Sequence, residues 1–198
     1  MQFPFEDPLV WFLHEHQKAV ELKVDEPHAM QLATLQANGY PAVRTVLFRG
    51  LIRGGLSFYT NYHSQKSRDL DFSNKAGLNF FWPVLQKQVR LEGLVDRLTR
   101  PESEAYFKGR PRLSQIGAWA SDQSAEIPDF HWLQTRVQDF TKKFEGQEVP
   151  CPPHWGGFRL VPSKFEFWFG KEGRLHERFL FERDQASPDG WKKLMKSP

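Results

Sequence analysis

Short runs of β-branched and aromatic residues, separated by turn dipeptides, follow one another through much of this sequence. Three such runs occupy residues 30–36, 42–49 and 56–61, with Asn38-Gly39 and Gly54-Gly55 between them. Runs of this length with glycine-containing turns between them are typical of antiparallel strands joined by hairpins. The spacing therefore predicts a meander and restricts the chain to a mainly antiparallel β architecture.

The rest of the chain adds further strands and several helices. Alternating residues predict strands at 77–83 and 88–98, and C-terminal strands between about 155 and 195. Helical spacing predicts helices at about 8–22, at 64–72, on both sides of Pro111, and at 129–144, the last explained by core packing alone. A capping box at Thr99–Glu102 opens the helix before Pro111. Together these elements predict an α+β, predominantly antiparallel β, barrel-like single domain spanning residues 1–198.

Composition excludes several classes of protein. Lysine and arginine exceed aspartate and glutamate by 27 minus 24, a net charge of +3 that is too small and too interspersed to indicate nucleic-acid binding. The single cysteine, Cys151, allows no internal disulfide. No run of eighteen apolar residues and no signal-like N-terminus is present. We therefore expect a soluble, cytoplasmic protein that is neither secreted nor membrane-spanning.

Common catalytic and metal-binding motifs are missing from the sequence. It contains no G-x-x-x-x-G-K-[ST], G-x-G-x-x-G, G-x-S-x-G or H-E-x-x-H pattern. His14 and His16 lie two residues apart on the predicted first helix, where they cannot share a face, so we interpret both as surface histidines. No metal is expected.

The segment 105–124 concentrates groups that bind anions. Tyr106, Arg110 and Ser114 lie around Pro111, and no carboxylate occurs between Glu104 and Asp122. Guanidinium and hydroxyl groups held at a turn suit a phosphate, because charge-assisted hydrogen bonds match its oxygens. A solvated basic loop is an equally open interpretation of this segment taken alone.

Three other clusters carry cations. Arg44 and Arg49 have opposite parity on one predicted strand, but they can converge if the strand ends before Gly50. Lys66 lies in the first turn of the helix that Ser64 is expected to cap. The predicted turn at 170–178 carries Arg174, His176 and Arg178, all on one side if the chain there is extended, with Trp168 nearby in the sequence. Two phosphates with a planar group between them would fit these clusters.

Several of these segments resemble the pyridoxamine 5′-phosphate oxidase family, FMN-dependent enzymes of vitamin B6 metabolism. The similar segments run in the same order from about residue 7 to residue 183. They are R-T-V-L-F-R (44–49), F-Y-T-N (58–61), S-Q-K (64–66), Q-V-R (88–90), Y-F-K-G-R-P-R-L-S-Q-I-G-A-W-A-S-D-Q-S (106–124), W-G-G-F-R (155–159) and R-L-H-E-R (174–178).

The resemblance implies a split β-barrel homodimer with FMN at the subunit interface. It further implies oxidation of pyridoxamine or pyridoxine 5′-phosphate to pyridoxal 5′-phosphate, with hydride passing to the flavin and O2 reoxidising it to give H2O2. The FMN-binding residues that it implies are Arg44, Thr45, Val46, Leu47, Tyr59, Thr60, Lys66, Gln88, Gln123, Ser124, Trp168 and Arg178. The substrate-binding residues that it implies are Arg49, Tyr106, Arg110 and Ser114, with Arg174 and His176 both catalytic and in contact with substrate.

The sequence departs from the family pattern at four places. Arg49 stands where the family usually has lysine, and Gln65 where it usually has arginine. Met195 occupies the place of an arginine near the C-terminus, and an N-terminal arm that covers the substrate in some relatives is expected to be absent. These departures bear on turnover and substrate choice more than on FMN binding.

Three alternative functions remain open from the sequence. The first is a related split-barrel flavoprotein that acts on another small molecule, and the second is a non-catalytic carrier or sensor of FMN or pyridoxal 5′-phosphate. The third is single-stranded nucleic-acid binding, which the 15% aromatic content would permit. Most of those aromatic residues alternate along predicted strands as core residues, which argues against the third.

Overall fold

Nine antiparallel strands form one sheet in the computed structural model, which describes residues 3–198. They are β1 (Ala29–Leu35), β2 (Pro41–Leu47), β3 (Leu51–Ile52), β4 (Gly55–Asn61), β5 (Lys75–Trp82), β6 (Lys87–Arg97), β7 (Trp155–Phe169), β8 (Glu177–Arg183) and β9 (Trp191–Lys196). Their order is β2-β1-β5-β6-β7-β4-β3, and β8 pairs with both β7 and β9. The α+β, predominantly antiparallel class is confirmed. The predicted meander is wrong beyond its first hairpin, because β2 pairs with β1 whereas β4 pairs with β7 and β3.

The long strand β7 changes partners along its length and so bends the sheet. Its first residues pair with β4, its last residues pair with β8, and β6 runs beside most of it. The β6–β7 register shifts between Glu92 and Gly93. A side chain at Gly93 would place its Cβ 2.2 Å from the carbonyl oxygen of Val161, so only glycine allows this approach. The curvature brings β2 back toward β4, although the two strands are distant in the strand order.

Five helices flank the sheet: α1 (Pro8–Glu21), α2 (Gln65–Phe72), α3 (Arg100–Lys108), α4 (Arg112–Ala120) and α5 (Phe130–Lys143). The predicted capping box is present, with Thr99 and Glu102 bonding reciprocally. The predicted break at Pro111 separates α3 from α4. Ser64 is the N-cap of α2, but its side chain does not bond the helix backbone. None of the helices within residues 3–198 is long and apolar enough to cross a membrane.

Two apolar clusters hold the fold together. The larger lies between α1 and the sheet and includes Trp11, which stacks on Phe167 at 4.1 Å between ring centroids. The smaller joins α3 and α4 to the start of β7 through Phe107, Ile116 and Trp155. This smaller cluster fixes the α3–α4 break beside β4.

Helix α5 packs on the core less completely than its sequence predicted. None of its residues is buried, and Val137 and Phe140 are only half-buried against the smaller cluster. The helix packs on α4 rather than on the sheet, so only one narrow side of its apolar face is covered. The prediction of a helix was confirmed. Core packing explains it in part, because Phe144 just after the helix is buried in the smaller cluster, whereas Phe130 at its start is exposed.

His16 is buried, which corrects the prediction of a surface histidine. It packs among Phe12, Phe48 and Phe80, and its Nε2 lies 3.0 Å from Nδ1 of His28. Burial, and then the neighbouring charge of His28, lower the pKa of His16 to about 4. The ring is therefore neutral in the folded protein at neutral pH.

The buried His16 should make the protein less stable in weak acid. An unfolded histidine has a pKa of about 6.5, so between pH 6.5 and pH 4 the unfolded chain binds more protons than the folded protein does. Lowering the pH over this range should therefore reduce the free energy of unfolding by about 2 to 3 kcal/mol. Urea unfolding from pH 4 to pH 7 measures this loss. The variant His16→Gln should lose less stability over that range than the wild type, whereas the exposed control His14→Gln should lose as much. Equal losses in wild type and His16→Gln would contradict the assignment.

Candidate active-site cleft

An open cleft of about 250 Å³ lies between the returning strand β2, strand β4 and the α3–α4 break. The sheet curvature brings β2 and β4 to its walls, while the small apolar cluster positions Tyr106 and Arg110 opposite them. The residues that line it are Thr45, Val46, Leu47, Arg49, Tyr59, Thr60, Lys66, Tyr106, Arg110, Gln123 and Trp155. Three of the predicted cationic clusters therefore contribute to one hollow, as the sequence analysis required.

Stacked aromatic rings form one wall of the cleft. Tyr59 and Tyr106 lie parallel with centroids 3.8 Å apart, and Trp155 lies parallel to Tyr59 at 5.5 Å. Burial, and then the nearby Tyr106, raise the pKa of Tyr59 to about 12, so its hydroxyl stays protonated and can donate a hydrogen bond. This wall offers a flat apolar surface with hydroxyl groups at its edge.

Arg110 carries a buried donor without a partner. Its guanidinium carbon lies 4.6 Å from the centre of the Trp155 ring, and Nη1 is buried with no hydrogen-bond partner among the described residues. Burial lowers the pKa of this guanidinium, an effect that the nearby charge of Arg49 reinforces. A buried unsatisfied charged donor costs several kcal/mol unless an anion accepts a hydrogen bond from it. Arg110 is therefore arranged to receive an anionic group.

Lys66 is the second buried cation of the cleft. It is 8% exposed, and its ammonium donates to Oγ1 of Thr60 at 3.2 Å. Burial, and then the charge of Arg44, lower the pKa of Lys66 to about 8, while Asp69 opposes the shift. Burial destabilises the charged form of this amine, so contact with an anion should stabilise that form.

Arg44 does not line the cleft, although its neighbours Thr45 to Leu47 do. Its Nη2 donates to Oδ2 of Asp69 at 3.0 Å, and its Nη1 donates to Thr34, Ala42 and Leu32. Arg49, in contrast, lies beyond the end of β2 and lines the cleft. The sequence allowed Arg44 and Arg49 to converge in one place, but only Arg49 lines the cleft, because Asp69 holds the Arg44 side chain outside its lining.

A neighbouring hollow of about 320 Å³ shares Arg110, Tyr59 and Trp155 with the cleft and adds Ser114 of α4. Gln123 lines both spaces, and its Oε1 accepts from Oγ1 of Thr60 at 2.8 Å. Ser124 follows in a left-handed conformation with φ of 70°, and it lines neither space.

The remaining predicted site residues form a second cluster at the far end of β7. Gln88, Trp168 and Arg178 lie side by side across β6, β7 and β8. Arg178 pairs with Glu166 at 2.7 Å. Trp155 and Trp168 are thirteen residues apart on β7, a contour of about 40 Å. One subunit therefore presents two separate groups of site residues.

The turn between β7 and β8 carries Arg174 and His176, both outside regular strand. Arg174 lies in a 3-10 turn with φ of 61°, so the extended geometry that would align it with Arg178 is absent. The His176 ring lies 4.6 Å from the Trp168 ring, and its Nδ1 accepts from the Lys171 backbone N–H at 3.1 Å. This turn therefore belongs with the second cluster.

Sequence reasoning assigned no role to two residues that shape the cleft. Trp155 occurs in the W-G-G-F-R segment, but nothing local shows that its ring underlies Arg110. Asp69 looks like an ordinary helix carboxylate, yet its side chain is 1% exposed and bonded to Arg44. Among residues 3–198, no group of three or more histidine, cysteine, aspartate or glutamate side chains could hold a metal ion.

The fold and the cleft together define a split-barrel flavoprotein, the class that the sequence predicted. A sequence profile described as "Pyridoxamine 5′-phosphate oxidase" matches residues 14–144, and one described as "Pyridoxine 5′-phosphate oxidase C-terminal dimerisation region" matches residues 155–198. The chain belongs to the pyridoxamine 5′-phosphate oxidase family. It is accordingly an FMN-dependent oxidoreductase, and it contains the region through which the family forms dimers.

Individual relatives cover almost the whole chain. The pyridoxine/pyridoxamine 5′-phosphate oxidase of Bdellovibrio bacteriovorus is 46% identical over 97% of both chains. The structure of PhzG from Burkholderia lata, in complex with tetrahydrophenazine-1-carboxylic acid, is 28% identical with a TM-score of 0.92, covering 100% of this chain and 98% of that one. An FMN-binding protein from Nostoc punctiforme related to the family shares the fold, with 20% identity, a TM-score of 0.72 and full coverage of both chains.

Proposed function

We propose that this chain oxidises pyridoxamine 5′-phosphate or pyridoxine 5′-phosphate to pyridoxal 5′-phosphate, with O2 as electron acceptor. Pyridoxine phosphate and O2 would give pyridoxal phosphate and H2O2, and the amine substrate would also consume water and release ammonia. The observation that carries the proposal is one cleft lined by a buried lysine and by an arginine whose Nη1 is buried and has no hydrogen-bond partner among the described residues. Cations at two places in one cleft suit the two phosphate groups of FMN and of a phosphorylated substrate. The names of the curated relatives support the same substrates.

The Lys66 end of the cleft fits the phosphate of FMN. Lys66 supplies the charge, and Thr60 and the backbone of residues 45–47 supply hydrogen bonds beside it. Tyr59 and Gln123 line the same space, and we assign Ser124 and Arg44 to its surroundings. When bound, FMN supplies the two-electron redox chemistry, which no side chain of the protein can perform.

The Arg110 end fits the phosphate of the substrate. Arg110 and Arg49 both line this part of the cleft, and the charge of Arg49 adds to burial in lowering the pKa of Arg110. Tyr106 and Ser114 add hydroxyl donors from α3 and α4. Arginine in place of lysine at position 49 keeps the charge and presents a planar fork that suits phosphate oxygens.

A second subunit would complete this site. Gln88, Trp168 and Arg178 lie at the opposite end of β7 from the cleft, within or beside the region that matches the family's dimerisation profile. A partner that presents this cluster to the cleft places FMN at the subunit interface. Arg174 and His176 would then lie over the substrate ring, where they orient it and move a proton.

Aerobic assays with both substrates test the proposed function. Purified protein should be yellow from bound FMN and should form pyridoxal 5′-phosphate and H2O2 in equal amounts from pyridoxine 5′-phosphate. Yellow protein that binds pyridoxal 5′-phosphate without turnover would support the carrier function instead. Turnover of other small molecules alone would support a related flavoprotein.

Replacing Arg174 with alanine should lower kcat far more than it lowers FMN affinity. A residue that orients substrate and assists proton removal contributes about 100-fold or more to the rate. Steady-state kinetics and FMN titration measure the two effects separately. Lys171→Ala, in the same turn, is the matched control and should keep most of the activity. An unchanged kcat in Arg174→Ala would remove this assignment.

A further inference from the structure

Helix α5 has no buried residue, yet one of its side chains bonds the end of the helix beside it. The Nε of Arg136 on α5 donates to the carbonyl oxygen of Ala120, the last residue of α4, at 2.7 Å. Its Nη2 lies 3.5 Å from the carbonyl oxygen of Trp119 and 3.5 Å from Oδ2 of Asp122. The last carbonyls of a helix have no partner within it, and a cation is favourable there. Arg136 therefore caps the C-terminus of α4 from a neighbouring helix.

Two aromatic rings of α5 support the Arg136 side chain in this place. Its guanidinium carbon lies 4.8 Å from the centre of the Trp132 ring and 5.7 Å from the centre of the Phe140 ring. The side chain is 31% exposed, and a hydrogen bond from a charged donor is stronger than one between neutral groups. The partly exposed aromatic face of α5 thus holds one arginine against α4.

The chain that leaves α4 at this point leads directly into the cleft. The carbonyl oxygen of Ser121, the first residue after α4, accepts from Nδ2 of Asn61 at 3.3 Å. Two residues further on, Oε1 of Gln123 accepts from Oγ1 of Thr60 at 2.8 Å and from the backbone N–H of Asn61 at 3.3 Å. Thr60 in turn accepts from the ammonium of Lys66 at 3.2 Å. A continuous set of bonds therefore links the C-terminus of α4 to the Lys66 end of the cleft.

Gln123 has one polar group left for a ligand. A backbone N–H can only donate, so the Gln123 atom beside the N–H of Asn61 is the amide oxygen, and the amide nitrogen Nε2 is the other terminal atom. This Nε2 bonds no acceptor within residues 3–198. Because Gln123 lines the cleft, its amide hydrogens are available to an acceptor on FMN.

Arg112 makes the equivalent contact at the other end of α4. It is the first residue of that helix, and it donates to the carbonyl oxygens of Phe144 and Gln147, just beyond α5, at 2.5 and 2.9 Å. The two arginines therefore fasten α4 to α5 at opposite ends of α4. Only the Arg136 end leads on to Gln123, so the two arginines allow positioning to be distinguished from helix packing.

We propose that Arg136 is a positioning residue for FMN binding: by holding the C-terminus of α4, it keeps Gln123 bonded to Thr60, with its amide N–H groups available to FMN. This inference rests on the proposed function, because it takes the Lys66 end of the cleft as part of the FMN site. It gives α5 a role in cofactor affinity, although no residue of α5 lines the cleft or the neighbouring hollow.

A double-mutant cycle of Arg136→Met and Gln123→Ala tests the proposal. FMN is titrated into the flavin-free full chain, and its fluorescence gives the affinity. Arg136→Met should weaken FMN binding by about tenfold when Gln123 is present. In the Gln123→Ala background the same change should alter the affinity by less than about twofold, because the effect of Arg136 passes through Gln123. An equal loss in both backgrounds would mean that the charge of Arg136 acts directly on FMN, and it would overturn the proposal.

Arg112→Met is the matched control, because it removes the same type of contact from the other end of α4. It should leave the FMN affinity within about twofold of the wild type. Thermal unfolding of the flavin-free variants establishes that each is folded at the temperature of the titration. If Arg136→Met does not fold, the same cycle is done with Arg136→Gln, which keeps a polar side chain at this position, and the same outcomes decide.

The remaining outcomes separate this inference from the proposed function. Wild-type protein that binds no FMN would contradict the proposed function and this inference with it. Equal FMN affinity in wild type and Arg136→Met would overturn this inference alone. A loss in Arg112→Met as large as that in Arg136→Met would also overturn it, because helix packing rather than the place of Gln123 would then set the affinity.

Discussion

Replacing Arg110 with methionine should raise KM for the phosphorylated substrate by about 100- to 1,000-fold, because two charge-assisted hydrogen bonds contribute about 1.5 to 3 kcal/mol each. The guanidinium has a buried Nη1 without a partner, so the substrate phosphate is expected to satisfy it. The phosphate is remote from the reacting carbon, so its loss should weaken ground state and transition state alike. The expected effect is therefore on KM rather than on kcat.

Steady-state kinetics across a wide range of substrate concentrations measure the effect of Arg110→Met. The matched control is Lys108→Met, because Lys108 precedes the same break, and its side chain is 78% exposed. The control should keep the wild-type KM, and Arg110→Met should keep its bound FMN. A wild-type KM in Arg110→Met would show that the substrate phosphate binds elsewhere.

Replacing Lys66 with methionine should weaken FMN binding by about 100-fold or more, since removing one partner of a buried ion pair costs about 2 to 5 kcal/mol. Methionine fills a similar volume and has no charge to bury. The flavin-free protein should therefore be at least as stable as the wild type, and the loss is confined to binding. This combination distinguishes a binding role of Lys66 from a structural one.

Fluorescence titration with FMN, together with thermal unfolding of the flavin-free protein, measures both properties of Lys66→Met. Lys75→Met, a change of the same type at an exposed position at the start of β5, is the control and should bind FMN normally. Wild-type FMN affinity in Lys66→Met would contradict the assignment of this end of the cleft. A large drop in the melting temperature would show that Lys66 supports the fold instead.

Local signals in the sequence predicted the elements that depend on local geometry. The capping box at Thr99, the break at Pro111 and the turn at Asn38-Gly39 act within a few residues, so the predicted boundaries agree closely with the structure. The motif resemblance also predicted that the distant segments of Lys66 and Arg110 lie together, and both residues line one cleft. Neither required knowledge of how the sheet curves.

The features that sequence reasoning missed depend on what lies across the fold. His16 on α1 is buried because Phe48, just after β2, and Phe80 of β5 pack against it, and its spacing from His14 carries no sign of that. Arg44 does not line the cleft because its guanidinium pairs with Asp69, a buried carboxylate on α2. A helical pattern such as that of α5 shows an apolar face, but not whether the face is covered.

The most direct test of the account is an anaerobic titration of the FMN-loaded protein with pyridoxamine 5′-phosphate, followed by the visible absorbance of the flavin. The account predicts that the flavin bleaches as substrate is added, that pyridoxal 5′-phosphate appears in equal amount, and that admitting air restores the colour. Flavin that stays oxidised under saturating substrate, yet is bleached by a chemical reductant, would contradict it.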